Sequence, residues 1–144
     1  MSDDAPPTVP GRMLPALNDH NRAFWTAGAD GRLLIPFCVP CGVWVNPSAA
    51  DCPDCDGVLE ARPVSGRGTV FTYTVNHQPF NPDVPVPYVI AIVELDEQHD
   101  LRIASNIVDC EPDSVRIGLP VEVRFERQEV GAETVYVPVF APRD

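Results

Sequence analysis

The sequence contains no lysine, and its ten basic side chains are all arginines. It has 21 acidic residues, so the formal net charge is −11 at pH 7. Proteins bind nucleic acids largely by neutralising phosphates, and they bind anionic membrane surfaces through clustered Lys and Arg. The charge balance therefore argues against a nucleic acid or an anionic membrane as the main partner of this chain.

Long apolar runs are also absent, since none approaches the ~20 residues that a membrane-spanning helix needs. The stretch Met1–Asp4 is acidic and is followed by prolines, without the apolar segment of a secretory signal. We therefore expect a cytoplasmic protein. In that compartment the five cysteines would be free thiols or metal ligands rather than disulfides.

The 17 prolines are spread along the chain, which disfavours long helices and favours short strands joined by turns. Residues 1–13 are polar and proline-rich, and they are predicted to form a loose arm. Helical spacing of apolar residues predicts one helix from Pro15 to about Ala29. Phe24 and Trp25 in this helix would anchor it by packing on the core; the alternative is that they dock on a partner protein.

Period-two alternation of apolar residues after Glu60 predicts five strands and a mainly β fold. Five short strands with one longer connection between the third and the fourth fit an OB-fold barrel; a five-stranded sandwich is the alternative. The predicted domains are a helix and ribbon at 14–61 and the barrel at 62–144. The predicted strands lie at residues 69–76, 88–95, 101–107, 121–126 and 135–139.

Two of the strands carry more specific expectations. In the fourth, apolar side chains face inward and charged ones, including Glu126, face solvent. In the fifth, Pro138 indicates an edge position, because proline cannot donate a ladder hydrogen bond.

The cysteines carry the strongest motif of the sequence. Cys38-x-x-Cys41-Gly42 and Cys52-x-x-Cys55 are separated by ten residues. Two such knuckles place four thiolates around one ion, which predicts a closed, tetrahedral, structural zinc site. Iron would fit the same rubredoxin-like cage, and the alternatives are a redox dithiol or a ribbon that has lost its metal. Binding of the metal should be coupled to the folding of residues 33–61.

Catalytic motifs are missing. The sequence has no G-x-S-x-G and no phosphate-binding glycine loop. His20, His77 and His99 are isolated, and Cys110 has no C-x-x-C partner, so it is expected to be a small apolar filler. We therefore predict no catalytic residue and expect a binding or scaffolding subunit.

Several short segments, spread over about residues 22–127, share their order and spacing with a known family. They are Phe24-Trp25, Gly31-Arg32-Leu33, Cys38-x-x-Cys41-Gly42, Pro47, Cys52-Pro53-x-Cys55, residues 65–70, Pro87-Tyr88, residues 93–96 and residues 117–121. On these segments the sequence resembles the small proteins that join a rubredoxin-like zinc ribbon to an OB-fold. Members of that family associate with thiolase-superfamily enzymes that act on acyl-CoA.

The resemblance implies a non-catalytic accessory subunit. Its helix and ribbon would dock a thiolase-like enzyme in a two-plus-two heterotetramer, and the partner would supply the catalytic residues. The reaction of the complex would be aldol or thiolytic cleavage or acyl transfer, as in steroid side-chain or aromatic degradation or in hydroxymethylglutaryl-CoA synthesis. The alternatives are a free-standing acyl-CoA-binding module and a nucleic-acid-binding OB protein.

The resemblance also implies an acyl-CoA ligand near the barrel. The proline-rich stretch from Phe80 to Tyr88 would line a channel mouth. The arginines expected to contact the phosphates of CoA are Arg67, Arg102 and Arg116, although surface ion pairs would explain each of them as well. His77, next to this stretch, completes the candidate acyl-CoA site.

Overall fold

The computed structural model describes residues 12–46 and 49–143. Most of the predicted N-terminal arm lies outside this range, as does Pro47 of the family-like pattern. Across the described residues, every helix is too short or too polar to cross a bilayer.

The described part of the chain forms one short α-helix, two 3-10 helices and eight strands. In chain order these are α1 (Arg22–Thr26), a 3-10 helix (Ala27–Asp30), β1 (Leu33–Cys38), β2 (Val43–Trp44), β3 (Leu59–Val64), β4 (Arg67–Asn76), β5 (Tyr88–Leu95), β6 (Arg102–Ile107), a 3-10 helix (Pro112–Ser114), β7 (Pro120–Val130) and β8 (Glu133–Pro142).

The last five strands close into a barrel in the order β4-β5-β6-β8-β7. All neighbours are antiparallel except β6 and β8, which pair in parallel at Ile107 and Phe140. The long connection lies between β6 and β7, where the sequence placed it. The prediction of a mainly β chain with a five-stranded OB-type barrel is confirmed.

The ribbon is a three-stranded sheet in the order β2-β1-β3. The predicted domain boundary between residues 61 and 62 falls inside β3, which pairs with β1 as far as Val64. In addition, Leu33 and Ile35 of β1 are almost fully buried in the same apolar cluster as the barrel residues. The ribbon and the barrel therefore share one core.

The helix is shorter than predicted. It begins at Arg22 rather than at Pro15, because the Asn18 side chain accepts hydrogen bonds from the backbone N–H groups of His20 and Asn21. Such a local turn competes with helix formation. The helical segment ends at Gly31, whose φ of +73° suits a glycine.

The helix packs on the barrel through two aromatic side chains. Phe24 contacts the main core cluster, and Trp25 contacts a smaller cluster formed by β8. Their rings meet edge to face, with centroids 4.8 Å apart. This geometry accounts for both residues as the predicted packing anchor, while their role in docking stays a prediction.

Glu126 contradicts the expectation that the charged face of β7 is solvated, because only 1% of its surface is exposed. Arg12 donates to both carboxylate oxygens, over 2.6 and 2.9 Å, and Gln128 donates to one of them over 2.7 Å. Arg12 also donates to the side chain of Asn106 over 2.9 Å. At Arg12, therefore, the predicted loose arm is wrong, since this residue is fixed against the barrel.

The prediction that Pro138 marks an edge strand is also wrong. β8 lies between β6 and β7 in the closed barrel, and Pro138 is buried. Proline is tolerated there because β8 pairs with β6 at only one residue pair, so no ladder bond from position 138 to β6 is required. The Pro138 carbonyl instead accepts a 2.8 Å hydrogen bond from the Ser105 hydroxyl.

The turn between β5 and β6 holds the ribbon against the barrel. The Gln98 side chain accepts from the backbone N–H of Trp44 over 2.9 Å and donates to the Trp44 carbonyl over 3.2 Å. Asn46 donates to the carbonyl of Arg102 over 2.6 Å. These bonds fix the orientation of the ribbon relative to the barrel wall.

Candidate metal centre and ligand cavity

The four paired cysteines converge at one end of the ribbon. Their sulfur atoms all lie within 4.8 Å of one another. The Sγ atoms of Cys38 and Cys55 are 3.5 Å apart, and those of Cys41 and Cys52 are 4.0 Å apart. A tetrahedral ion with bonds of about 2.3 Å to sulfur requires S···S distances of about 3.8 Å. The cluster therefore has the dimensions of a four-thiolate metal site.

Each knuckle is shaped by a residue with positive φ. Gly42 has φ +68° and donates its N–H to the Cys38 carbonyl over 2.8 Å. Asp56 has φ +60° and donates in the same way to the Cys52 carbonyl over 2.9 Å. Glycine adopts a positive φ at little cost, whereas Asp56 adopts it under strain.

Backbone donors and close packing surround the sulfurs. The N–H of Cys41 points at the sulfur of Cys38, and the N–H of Gly57 points at the sulfur of Cys55, each over 3.4 Å. A Cβ at Gly57 would lie 3.0 Å from the Cys55 sulfur, which is closer than ordinary packing allows. These donors offset negative charge on sulfur, as a thiolate site requires.

Hydrogen bonds in the cluster shift the pKa values of Cys41 and Cys52 in opposite directions. The backbone N–H of Asp54 lowers the pKa of Cys52. Hydrogen bonds with Cys55 and Cys38 raise the pKa of Cys41 to about 12. Without a positive ion the Cys41 thiol therefore retains its proton at pH 7, and a bound metal would displace it. Since four thiolates complete a tetrahedron, the site has no position for water or substrate.

A cavity of about 630 Å³ opens between the loop that precedes β5 and the β5–β6 wall. Its lining is largely apolar and comes from the N-terminal segment, the proline-rich loop, both strands and the β6–β7 connection. The lining residues are Arg12, Met13, Phe80, Asn81, Val84, Pro85, Pro87, Tyr88, Val89, Ile90, Asn106, Ile107, Val108, Cys110 and Pro112.

Two of the six predicted acyl-CoA residues line this cavity, namely Phe80 and Tyr88. His77 is exposed just beyond the end of β4 and is absent from the lining. The structure therefore brings the two aromatic residues together and leaves the histidine apart. Their role in binding stays a prediction.

The three predicted arginines lie elsewhere. Arg102 stacks on Phe71, 3.8 Å from the ring centroid, and forms ion pairs with Glu94 and Asp100. Arg67 and Arg116 are exposed on the barrel, outside the cavity lining. For Arg102, the structure shows the surface ion pair that was the alternative to a phosphate contact.

No sequence pattern indicated the residues that hold the N-terminal segment, Arg12 and Met13, beside this cavity. Arg12 and Asn106 line it, and Glu126 holds Arg12 from behind. Arg12 and Glu126 are 114 positions apart, so no local pattern connects them. Cys110 also lines the cavity and packs against the main core, in keeping with its predicted role as an apolar filler.

Residues 61–126 match the family model described as the C-terminal OB-fold domain of ChsH2. A DUF35 domain-containing scaffold protein of Methanothermobacter thermautotrophicus is 42% identical over 102 residues, which cover 68% of this chain and 75% of that protein. The chain belongs to the DUF35 family.

A solved structure described as an Ltp2-ChsH2(DUF35) aldolase is similar to this DUF35 chain throughout. The TM-score is 0.73 at 37% sequence identity, with 90% of this chain and 98% of that chain covered. With 90% of this chain covered, the match includes parts of both the ribbon and the barrel.

A longer relative is the probable enoyl-CoA hydratase alpha subunit of Thermomonospora curvata. It is 33% identical over 132 residues, which cover 91% of this chain. The chain spans 40% of the length of that relative, so the comparison concerns one part of a larger subunit.

Proposed function

We propose that this DUF35 chain is a non-catalytic accessory subunit of an enzyme complex that acts on acyl-CoA. The observation that carries the proposal is the structural match to a chain of the Ltp2-ChsH2(DUF35) aldolase, of which 98% is covered. The scaffold proteins of the family and the hydratase subunit of Thermomonospora point in the same direction. The partner is a thiolase-superfamily enzyme, and the assembly is a heterotetramer of two copies of each chain.

The division of labour follows from the chemistry of the two sites. A metal with four sulfur ligands has no open position at which to activate water or polarise a carbonyl. The cavity residues are apolar apart from Arg12, two asparagines, Tyr88 and Cys110. In this proposal the partner therefore supplies the nucleophile and base, and the complex cleaves a β-hydroxyacyl-CoA by a retro-aldol reaction; thiolysis or acyl transfer is the alternative.

The metal in this proposal is zinc, held by Cys38, Cys41, Cys52 and Cys55. Its task is to fold the ribbon, whose sheet is small and whose knuckles contain two backbone positions with positive φ. Elemental analysis of the purified chain should give one zinc per chain, with iron as the alternative. Removal by a chelator should loosen residues 33–61, and an unchanged near-UV spectrum after verified metal loss would contradict a structural role.

Docking is proposed for the helix and ribbon, including Phe24 and Trp25. Two apolar side chains at the metal knuckles are exposed, Val39 by 52% and Val58 by 79%. Val58→Asp should weaken complex formation at least roughly tenfold, as expected for an interface anchor. Ile117→Asp is the matched control on the barrel, since Ile117 is 69% exposed and far from the knuckles in sequence.

The whole proposal is tested by co-expression with a thiolase-superfamily enzyme. A stable complex on size exclusion and turnover of acyl-CoA by the pair, but not by this chain alone, is the expected result. Turnover by the isolated chain would overturn the accessory role.

The cavity of about 630 Å³ favours a second candidate, a free-standing acyl-CoA-binding module. The same co-expression experiment separates the two candidates. A chain that binds acyl-CoA tightly, stays monodisperse and ignores thiolase-superfamily proteins would be a free-standing module.

A further inference from the structure

The large cavity has an apolar lining and an exposed apolar rim. Met13, Phe80 and Ile90 line it while 93%, 80% and 41% of their surfaces are exposed, respectively. Exposed apolar side chains that gather around a cavity are typical of a binding site rather than of a free surface. The volume of about 630 Å³ lies in the range of pockets that bury drug-sized molecules.

Arg12 is the one charged side chain among the described residues that line the cavity, and its charge is already paired. Its Nε and Nη2 atoms donate to the Glu126 carboxylate, and its Nη1 atom donates to Asn106. Because Glu126 is 1% exposed, releasing Arg12 toward a ligand would leave a buried carboxylate without its cation. Arg12 is therefore not free to neutralise a phosphate.

The side-chain amides of Asn81 and Asn106 in the cavity also form hydrogen bonds within the protein. Asn106 accepts from Arg12 through Oδ1 and donates from Nδ2 to the carbonyl of Val89 over 2.8 Å. The Asn81 carboxamide oxygen accepts from the backbone N–H of Asp83 over 3.0 Å. Apart from the Tyr88 hydroxyl and the Cys110 thiol, the polar side chains that line the cavity therefore already have partners, and the rest of the lining is apolar.

We infer that this cavity takes the acyl group of a CoA thioester, and that the acyl group is large and apolar. The inference rests on the proposed function and specifies which end of the ligand enters this chain. The phosphates of CoA need unpaired cations, and burying them here would be costly. An extended or polycyclic hydrocarbon acyl group, in contrast, gains from every apolar atom that leaves water.

The wall of the cavity is stiff enough to be formed before the ligand arrives. Four prolines, at positions 79, 82, 85 and 87, restrict the backbone of the loop. A preorganised wall loses little conformational entropy on binding, which favours affinity. The CoA portion then projects out of the cavity, where cationic groups of a partner subunit would meet its phosphates.

Calorimetric titration of the full chain with free CoA and with acetyl-, octanoyl- and palmitoyl-CoA tests the inference. Affinity should rise with acyl length by up to roughly fourfold per buried methylene, and free CoA should bind most weakly. Ile90→Asp places a charge in the cavity and should abolish the dependence on acyl length. Ile117→Asp, at an exposed barrel position outside the lining, should preserve it.

Phe80→Ala is a second cavity variant, which keeps the test valid if Ile90→Asp, a substitution in β5, fails to fold. Phe80 is 80% exposed on a loop, so its removal leaves the barrel core intact, and it should flatten the dependence on acyl length. Equal affinities for free CoA and palmitoyl-CoA, unaffected by either cavity variant, would overturn the inference. An effect of Ile90→Asp on complex formation alone, with no acyl-length dependence, would also overturn it, because the cavity would then be a protein interface.

The same titrations on the co-expressed complex keep this result separate from the proposed function. A stable complex without acyl-length dependence would refute only the location of the acyl group. Dependence on acyl length in a chain that forms no complex would refute the accessory role and leave the cavity assignment supported.

Discussion

The ion pair between Arg12 and Glu126 gives the sharpest stability prediction. In Arg12→Met the Glu126 carboxylate would remain at a site that is 1% exposed, with Gln128 as its remaining donor. Removing one partner of a buried pair costs about 3–5 kcal/mol, because the other charge is left uncompensated. We expect the lower part of this range, since the Arg12 side chain is 20% exposed and solvent reaches part of the pair.

The reverse and double variants distinguish the pair from simple loss of packing. Glu126→Gln should cost less than Arg12→Met, because the partly exposed guanidinium can be hydrated. A double variant with methionine at both positions should recover most of the loss, since an apolar pair of similar volume leaves no buried charge. The double-mutant cycle then gives the coupling between the two side chains directly.

Urea unfolding with a common m-value is the assay. The matched control is Arg127→Met on the same strand, because the Arg127–Glu129 pair is 63% and 59% exposed and such pairs contribute at most about 1 kcal/mol. If Arg12→Met and Arg127→Met change the free energy of unfolding equally, the reasoning about the buried carboxylate is wrong.

Three further predictions concern the junctions of the fold. Gly28→Ala should destabilise the chain by about 1–3 kcal/mol in thermal unfolding, because a Cβ there would lie 2.4 Å from a β8 side-chain atom; an unchanged midpoint would contradict the close packing. Gln98→Ala should cost about 1–2 kcal/mol and speed amide exchange at Trp44, whereas unchanged exchange would show that the side-chain clamp is dispensable. The N–H of Asp100 holds the pKa of Glu94 below its usual value. Ionised Glu94 therefore contributes stability above the unfolded pKa of about 4.3, and this contribution is lost as the pH falls through the folded pKa. In chemical unfolding, the stability difference between the parent chain and Glu94→Gln should be full at pH 7 and vanish in acid. A pH-independent difference would refute this role of Glu94.

Local patterns in the sequence were sufficient for much of the fold. The spacing of the cysteines predicts their convergence because each knuckle is a four-residue turn, and only one long connection separates the two. The strands of the barrel follow from period-two alternation, which depends on neighbouring residues alone. Both predictions use interactions that are short in sequence.

Errors arose where a distant or competing contact decides the conformation. The Asn18 side chain accepts hydrogen bonds from the backbone N–H groups of His20 and Asn21, and this local turn replaces the first part of the predicted helix. The period-two pattern of its strand places Glu126 on the solvent-facing side. It is buried because Arg12, which is 114 residues away in the sequence, packs over it. The large cavity combines three separate stretches of the chain, within residues 12–13, 80–90 and 106–112, and only its proline-rich loop has a recognisable sequence pattern.

Side-chain contacts between separate elements explain how this small barrel presents fixed surfaces. The four cysteine sulfurs converge at one end of the ribbon, and the Gln98 side chain joins the ribbon to the barrel through the backbone of Trp44. Arg12 fixes the N-terminal segment as one wall of the cavity. Removing one member of the Arg12–Glu126 pair should release the segment that the pair holds. The proposed accessory role requires a fixed shape rather than a reactive group, because the partner enzyme would provide the reacting atoms.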